Sequence, residues 1–329
     1  MGVSPRALIA AAALSLAACA ARPPVLPSLM PQVTAPVELR DTPFFPQAEY
    51  QCGPAALATV LNTAGVEIEP DGLVSQVYVP AKRGSLQIEL LAATRRAERI
   101  PYRIEPALAA LRAELDAGRP VLILQNLGLD FMPVWHYAVV VGIDPAGDQL
   151  ILRSGVERRR LSRAADFLRS WEMAANWGMV VLRPGEMPTR ATQKRLLAAI
   201  ALSEPMLSPE ARQRAYRAAL DRWPASINAR FGYAHALHAA GELAAAESNY
   251  RAVINQHPRH AAAFNNLAEV LKDRGCYTQA GIVAGRALVI ATEDQPALVE
   301  PISETLRGLP APSGGADRCK QAEQSFQSR

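Results

Sequence analysis

Between Pro36 and Pro188 this 329-residue chain has one cysteine, Cys52, and one histidine, His136. A thiol attacks as its thiolate, and imidazole is the side chain best suited to take the proton near neutral pH. If this half of the chain performs thiol chemistry, these two residues must perform it. Cys52 stands in FPQAEYQCGPAALATVL (45–61), at the lip of an apolar run. Pro54 suits the first helical turn, where no N–H is needed, and Ala56, Leu57, Val60 and Leu61 recur at helical spacing, which predicts a helix burying one face. Unpaired N–H groups and the dipole at such a helix start favour the thiolate. A small capping residue without chemistry is the alternative.

VWHYAVVVGID (134–144) sets His136 at the start of a strand predicted over Tyr137–Ile143; DPAGD (144–148) reads as a turn and QLILRSG as the returning strand of a β-hairpin. GRPVLILQNLG (118–128) reads as the strand ahead of it. With 144–148 as a five-residue loop, Ile143 faces Gln149 and Ala138 faces Ser154. Ser154 then lies diagonally beside His136 on the same face, with Arg153 on the opposite one. Asp144 has suitable chemistry but lies about 26 Å up the strand, at ~3.3 Å per residue. The stretch RSGVERRRLSR (153–163) holds five arginines and reads as a solvated hairpin end, with an acidic substrate segment as the functional alternative.

The elements that follow repeat. At a shift of 34 residues Tyr216 falls on Tyr250, Leu220 on Ile254, Trp223-Pro224 on His257-Pro258, Ala234 on Ala268, Leu237 on Leu271, Gly241 on Gly275 and Ala246 on Ala280. Small residues within, glycine between two helices and proline after the second resemble the tetratricopeptide repeat over roughly 190–308. That resemblance implies stacked helical hairpins able to hold a protein partner. His235 and His238 sit at i, i+3, without an acidic or cysteine partner at matching spacing, so they are expected to be packed or solvated rather than metal-bound. His257 and His260 flank a turn and carry no functional expectation.

A nucleophile on an early helix and a histidine on a later strand is the order of papain-like folds. PQAEYQCGPAAL followed by HYAVVVGID resembles the bacteriocin-processing, double-glycine leader peptidases over about 38–185. The resemblance extends to stand-alone relatives fused to tetratricopeptide repeats. It implies Cys52 as nucleophile, His136 as base, and Gln47 as oxyanion donor with help from the backbone N–H of Cys52. Gln47 precedes Cys52 by five residues where the family usually shows six; Gln51, adjacent to the cysteine, would have to fold back on itself. The family orients its histidine with Asp or Asn on the strand after the hairpin turn, and here Ser154 stands in that role or the carboxylate comes from elsewhere. No Walker-type motif and no transmembrane bundle accompany the match, so an export ATPase is not expected.

The first residues read as a targeting segment. Arg6 is their one charge, Ala7–Ala18 is apolar and too short to span a bilayer, and Leu16-Ala17-Ala18-Cys19 resembles the lipobox of bacterial lipoproteins. This resemblance implies cleavage before Cys19, a lipid on its sulfur and, with Ala20 following, sorting to the outer membrane on its periplasmic face. Five prolines between Ala20 and Pro36 predict a stiff tether unable to form helix. Without residues 1–18 the chain keeps 34 basic and 31 acidic residues, a net charge of +3. That is too mild to argue for nucleic acid. Cys276 and Cys319 are candidates for a disulfide in an exported protein.

The expected organisation is therefore a signal peptide (1–18), a Pro-rich tether (19–37), an α+β papain-like cysteine peptidase domain (38–188), an all-α tetratricopeptide repeat domain (189–308) and a C-terminal tail (309–329). The expected function is cleavage of a peptide amide through an acyl-enzyme, with a peptide or protein as substrate, a further partner on the repeats, and neither cofactor nor metal. A catalytically silent scaffold of the cell envelope is the rival, and transglutaminase-like acyl transfer a third reading.

Overall fold

A computed structural model describes residues 24–47, 51–310 and 319. In chain order, the short helix α1 (Leu26–Leu29) and strand β1 (Val37–Glu38) precede α2 (Cys52–Thr63), α3 (Asp71–Val77) and α4 (Gln87–Arg96). Next come β2 (Ile100–Arg103), α5 (Leu108–Asp116), β3 (Val121–Asn126), β4 (Trp135–Asp144), β5 (Gln149–Ser154), β6 (Glu157–Arg163), α6 (Ala164–Glu172) and β7 (Gly178–Leu182). The seven strands form one sheet in the order β2-β7-β3-β4-β5-β6, with β1 also paired to β4. A two-stranded ribbon joins Tyr78–Val79 to Gly84–Ser85. The chain clusters into two units, residues 1–86 with 103–180 and residues 87–102 with 181–329.

The sheet unit is built around α2. Gly53 through Leu61 are all buried, so this helix is enclosed on every side rather than along one face. The ribbon supplies the extra cover: a Cβ added to Gly53 would overlap the side chain of Ser85. Glycine after the cysteine is thus a condition for close packing.

The hairpin corrects one sequence expectation. Asp144 pairs with Gln149 and Ile143 with Leu150, so the loop has four residues, not five. A bulge between Val140 and Gly142 then shifts the register, and Val139 pairs with Arg153. The bulge cancels the loop error before the strand reaches Ser154.

The Pro-rich segment also departs from expectation. Leu26–Leu29 makes a helical turn beginning around Pro27, with Leu26 buried. Proline is tolerated in a first turn, where its missing N–H costs nothing. The Asp148 carboxylate accepts from the N–H groups of Val25 (2.9 Å) and Leu26 (2.8 Å). At least this part of the segment is docked to the end of the β4–β5 hairpin.

The second unit is largely helical: α7 (Gln193–Ser203), α8 (Pro209–Arg222), α9 (Ile227–Ala239), α10 (Leu243–Gln256), α11 (Ala261–Asp273), α12 (Tyr277–Asp294) and α13 (Val299–Arg307). The residues aligned by the 34-residue shift are structurally equivalent. Ala234, Ala268, Leu237, Leu271, Ala246, Ala280, Tyr216 and Tyr250 are all buried. Gly241 and Gly275 take φ of 78° and 79° at matching turns. His238, expected without an acidic partner, meets the Asp273 carboxylate at 2.8 Å from the next hairpin. His260 caps α11, its Nδ1 accepting from the N–H of Ala263. Cys276 and Cys319 are joined as a disulfide. Among the described residues no helix is long and apolar enough to cross a membrane.

Candidate active site

The backbone of Tyr137 organises the site. Pairing of β4 to β5 starts only at Val139, so the edge of Tyr137 on that side has no ladder partner. Its N–H lies close enough to the Cys52 sulfur to favour the thiolate. Its carbonyl accepts from Nε2 of Gln47 at 3.3 Å. Buried backbone groups must find partners, and two side chains from distant segments supply them here. The Tyr137 ring faces the helix side, its hydroxyl donating to the Ser85 carbonyl at 3.3 Å.

Gln47 is fixed at both ends. Its backbone N–H donates to the Gly155 carbonyl (3.0 Å), and its Oε1 accepts from the Gly155 N–H (3.0 Å). Behind it, Arg153 is 4% exposed. Its guanidinium donates to the carbonyls of Arg40 (3.0 Å), Thr42 (3.2 Å) and Arg158 (2.6 Å). The segment carrying Gln47 is thereby strapped to the hairpin. This arginine is structural, which the expectation of a solvated arginine cluster missed; Arg159 is likewise engaged, with the carboxylate of Glu38.

His136 lies on the other face of the strand from Tyr137, and Gln125, its partner across β3, donates to Ser170 of α6. Its Nε2 lies 2.8 Å from the hydroxyl of Ser154. This leaves Nδ1 as the second ring nitrogen. Cys19 lies outside the described residues.

Electrostatics differ from the sequence expectation. The backbone N–H groups of Tyr137, Gly53 and Cys52 do favour the thiolate, as the helix start predicted. Burial outweighs them and pushes the thiol above its ordinary range. Burial also lowers the imidazole of His136 to about 4, and the positive charge of Arg160 adds to this. Both shifts disfavour the charged forms, so burial works against a preformed thiolate–imidazolium pair. No acidic group opposes Arg160 from β5, where Ser154 stands. Neither Arg160 nor the Tyr137 edge was legible in sequence, because both depend on which strands are adjacent. Among the described residues no cluster of three or more His, Cys, Asp or Glu could hold a metal ion.

Residues 39–179 match the Peptidase_C39-like family. The match covers the sheet unit's candidate residues, Gln47, Cys52, His136 and Ser154, and stops at the start of β7. Solved structures similar to the chain include a putative C39-like peptidase from Bacillus anthracis (16% identity, 45% of this chain and 98% of that one, TM-score 0.39). Another is a double glycine motif protease from an AMS/PCAT transporter in complex with the leader peptide (19%, 44% and 96%, TM-score 0.33). A third is the peptidase domain of Streptococcus ComA, a bifunctional ABC transporter (19%, 43% and 98%, TM-score 0.36). Comparison with curated protein sequences yields no match. The fold class is the expected one, an α+β domain matching the C39 papain-like fold, followed by a largely helical region.

Proposed function

We propose that the protein is a cysteine peptidase of the C39-like type, cleaving a peptide amide through an acyl-enzyme. The observation that carries this reading is the convergence of Cys52 and Gln47 on the Tyr137 backbone, one peptide bond from a histidine held by Ser154. With the Nε2 proton shared with Ser154, Nδ1 accepts the thiol proton as sulfur attacks the substrate carbonyl. The developing oxyanion is stabilised by the Cys52 N–H and by the Gln47 amide, which has a second N–H beyond the one given to Tyr137. Collapse of the tetrahedral adduct expels the amine, which takes the proton from the imidazolium. Water, deprotonated by the same ring, then releases the acyl group.

The rival reading, a silent binding module, is favoured by one observation: the imidazole faces Ser154 and Arg160 where a carboxylate would stabilise its cation. A thiol-reactive probe separates the two. Alkylation of Cys52 across pH should be slowed several-fold at neutral pH by His136→Ala. A pH profile unchanged by that substitution favours the silent module.

The remaining expectations belong to the same proposal. Cys19 would carry a lipid holding the protein at the periplasmic face of the outer membrane. Cys19→Ser should abolish lipid labelling and membrane association, and continued detergent-dependent fractionation would refute the anchor. The helical unit would act as tetratricopeptide repeats binding a substrate or protein partner. Support comes from its 34-residue equivalences and from an open groove of about 930 Å³ lined in part by Leu197, Tyr216, Phe231 and His235.

A further inference from the structure

A small cavity of about 140 Å³ lies on the face of His136 covered by α6. Its polar lining includes His136, Ser154, Arg160, Ser162, Asp166 and Arg169, while Cys52 and Gln47 do not line it. The sheet forms the floor: Leu152 pairs with Arg160 and Leu150 with Ser162, which sets these side chains beside Ser154. Helix α6 forms the other wall, pinned by the bond from Gln125 to Ser170 at 2.7 Å.

The charge in this cavity is unbalanced. Two guanidiniums face one carboxylate. Arg160 meets Glu157 only at 3.6 Å, with side chains 47% and 58% exposed, and such a surface pair contributes little. Among the described residues neither Arg169 nor Asp166 makes an ion pair. A space of this size has room for one small anion with its waters.

We propose that this cavity binds a free small oxyanion, a phosphate or short carboxylate, between Arg160 and Arg169, and that the bound anion supplies the negative partner His136 lacks. Guanidinium and hydroxyl donors surround the space, and a planar or tetrahedral oxyanion can accept from both arginines at once. With the anion bound, the positive field of Arg160 is neutralised and the imidazolium, reached through Ser154, is stabilised. The functional meaning of this control rests on His136 acting as the base; the binding site itself does not. Thiol activation would then depend on anion supply, and the missing β5 carboxylate would be a point of regulation.

The experiment follows the ring titration of His136 in the full chain by nuclear magnetic resonance, with His136→Gln assigning the signal. Sulfate is the probe because its charge is constant over the range, and chloride at matched ionic strength is the control. Sulfate should raise the His136 pKa by about one unit, as an opposite charge at short range does. The shift should vanish in an Arg160→Gln/Arg169→Gln double variant, whose exposed positions tolerate the change. Asp166→Asn, which removes the competing carboxylate, should lower the sulfate concentration needed. A His136 titration unmoved by sulfate, or moved equally in the double variant, overturns the proposal. Because neither thiol reactivity nor cleavage is read, this failure is distinct from failure of the peptidase reading, which Cys52 alkylation decides.

Discussion

Burial of His136 ties its protonation to stability. Its folded pKa is about 4 against an ordinary 6.5, so the unfolded chain binds the proton first. This contribution is fully present above pH 6.5 and is lost as pH falls toward 4, amounting to at most about 3.5 kcal/mol at ~1.4 kcal/mol per unit. Denaturant titrations at pH 7 and pH 4.5 should show a smaller stability difference in His136→Gln than in the native chain; an identical difference would remove the imidazole from the account. Ser154 offers the complementary test. Ser154→Asp would put a carboxylate against the ring and near Arg160, so it should raise the His136 pKa and speed Cys52 alkylation at neutral pH, on the order of tenfold for a one-unit shift. A slower or unchanged rate would mean that another group already serves the imidazole.

The elements bring these residues together through few contacts, and Arg153 on β5 makes several of them. Its three carbonyl partners lie in two segments, 40–42 and 158, that carry no regular pairing to each other. Arg153→Met would leave those carbonyls without their charged donor, at a cost of about 2–4 kcal/mol, and would loosen the segment bearing Gln47. Chemical denaturation measures the first effect and Cys52 reactivity the second; a loss below about 1 kcal/mol would show that water replaces the guanidinium. In the helical unit the matching turns make a backbone prediction. Gly241 and Gly275 both adopt left-handed φ with open space where a Cβ would stand. Alanine at either should therefore cost about 1 kcal/mol through conformation alone, and Asn less. Melting curves of the two single variants should match one another, since the turns are equivalent.

For the whole molecule, two covalent and terminal features matter. The Cys276–Cys319 link spans 43 residues of sequence, and a loop of that length restricts the unfolded chain by about 4 kcal/mol on the chain-entropy account. A Cys276→Ser/Cys319→Ser variant should lower the stability of the helical unit while leaving the alkylation profile of Cys52 unchanged. At the other terminus, α1 docks on the turn after β4, whereas His136 lies at that strand's beginning. Ten residues of β4 at ~3.3 Å each put about 30 Å between the two ends. Asp148→Ala removes the acceptor for two N–H groups at the start of α1, and limited proteolysis should then cut within 24–36 more readily.

Features that depend on composition and short-range period were legible before any fold was known. The Cys52–His136 economy, the helix beginning at the cysteine, the strand after the histidine and the 34-residue repeat follow from residue types at small separations. The alignment of Ser154 with His136 was also legible, although the hairpin loop was assigned one residue too many and a bulge in β4 restored the register. The rest was not legible, because burial and adjacency are collective. No local pattern indicated that α2 would be enclosed on every side, raising the thiol despite its helix terminus. Nor did any local pattern set Arg160 beside the imidazole, hand the Tyr137 edge to Gln47 and Cys52, or dock a proline-rich segment through Asp148. Each depends on chain segments far apart in sequence competing for the same desolvated space, and only the folded sheet resolves that competition.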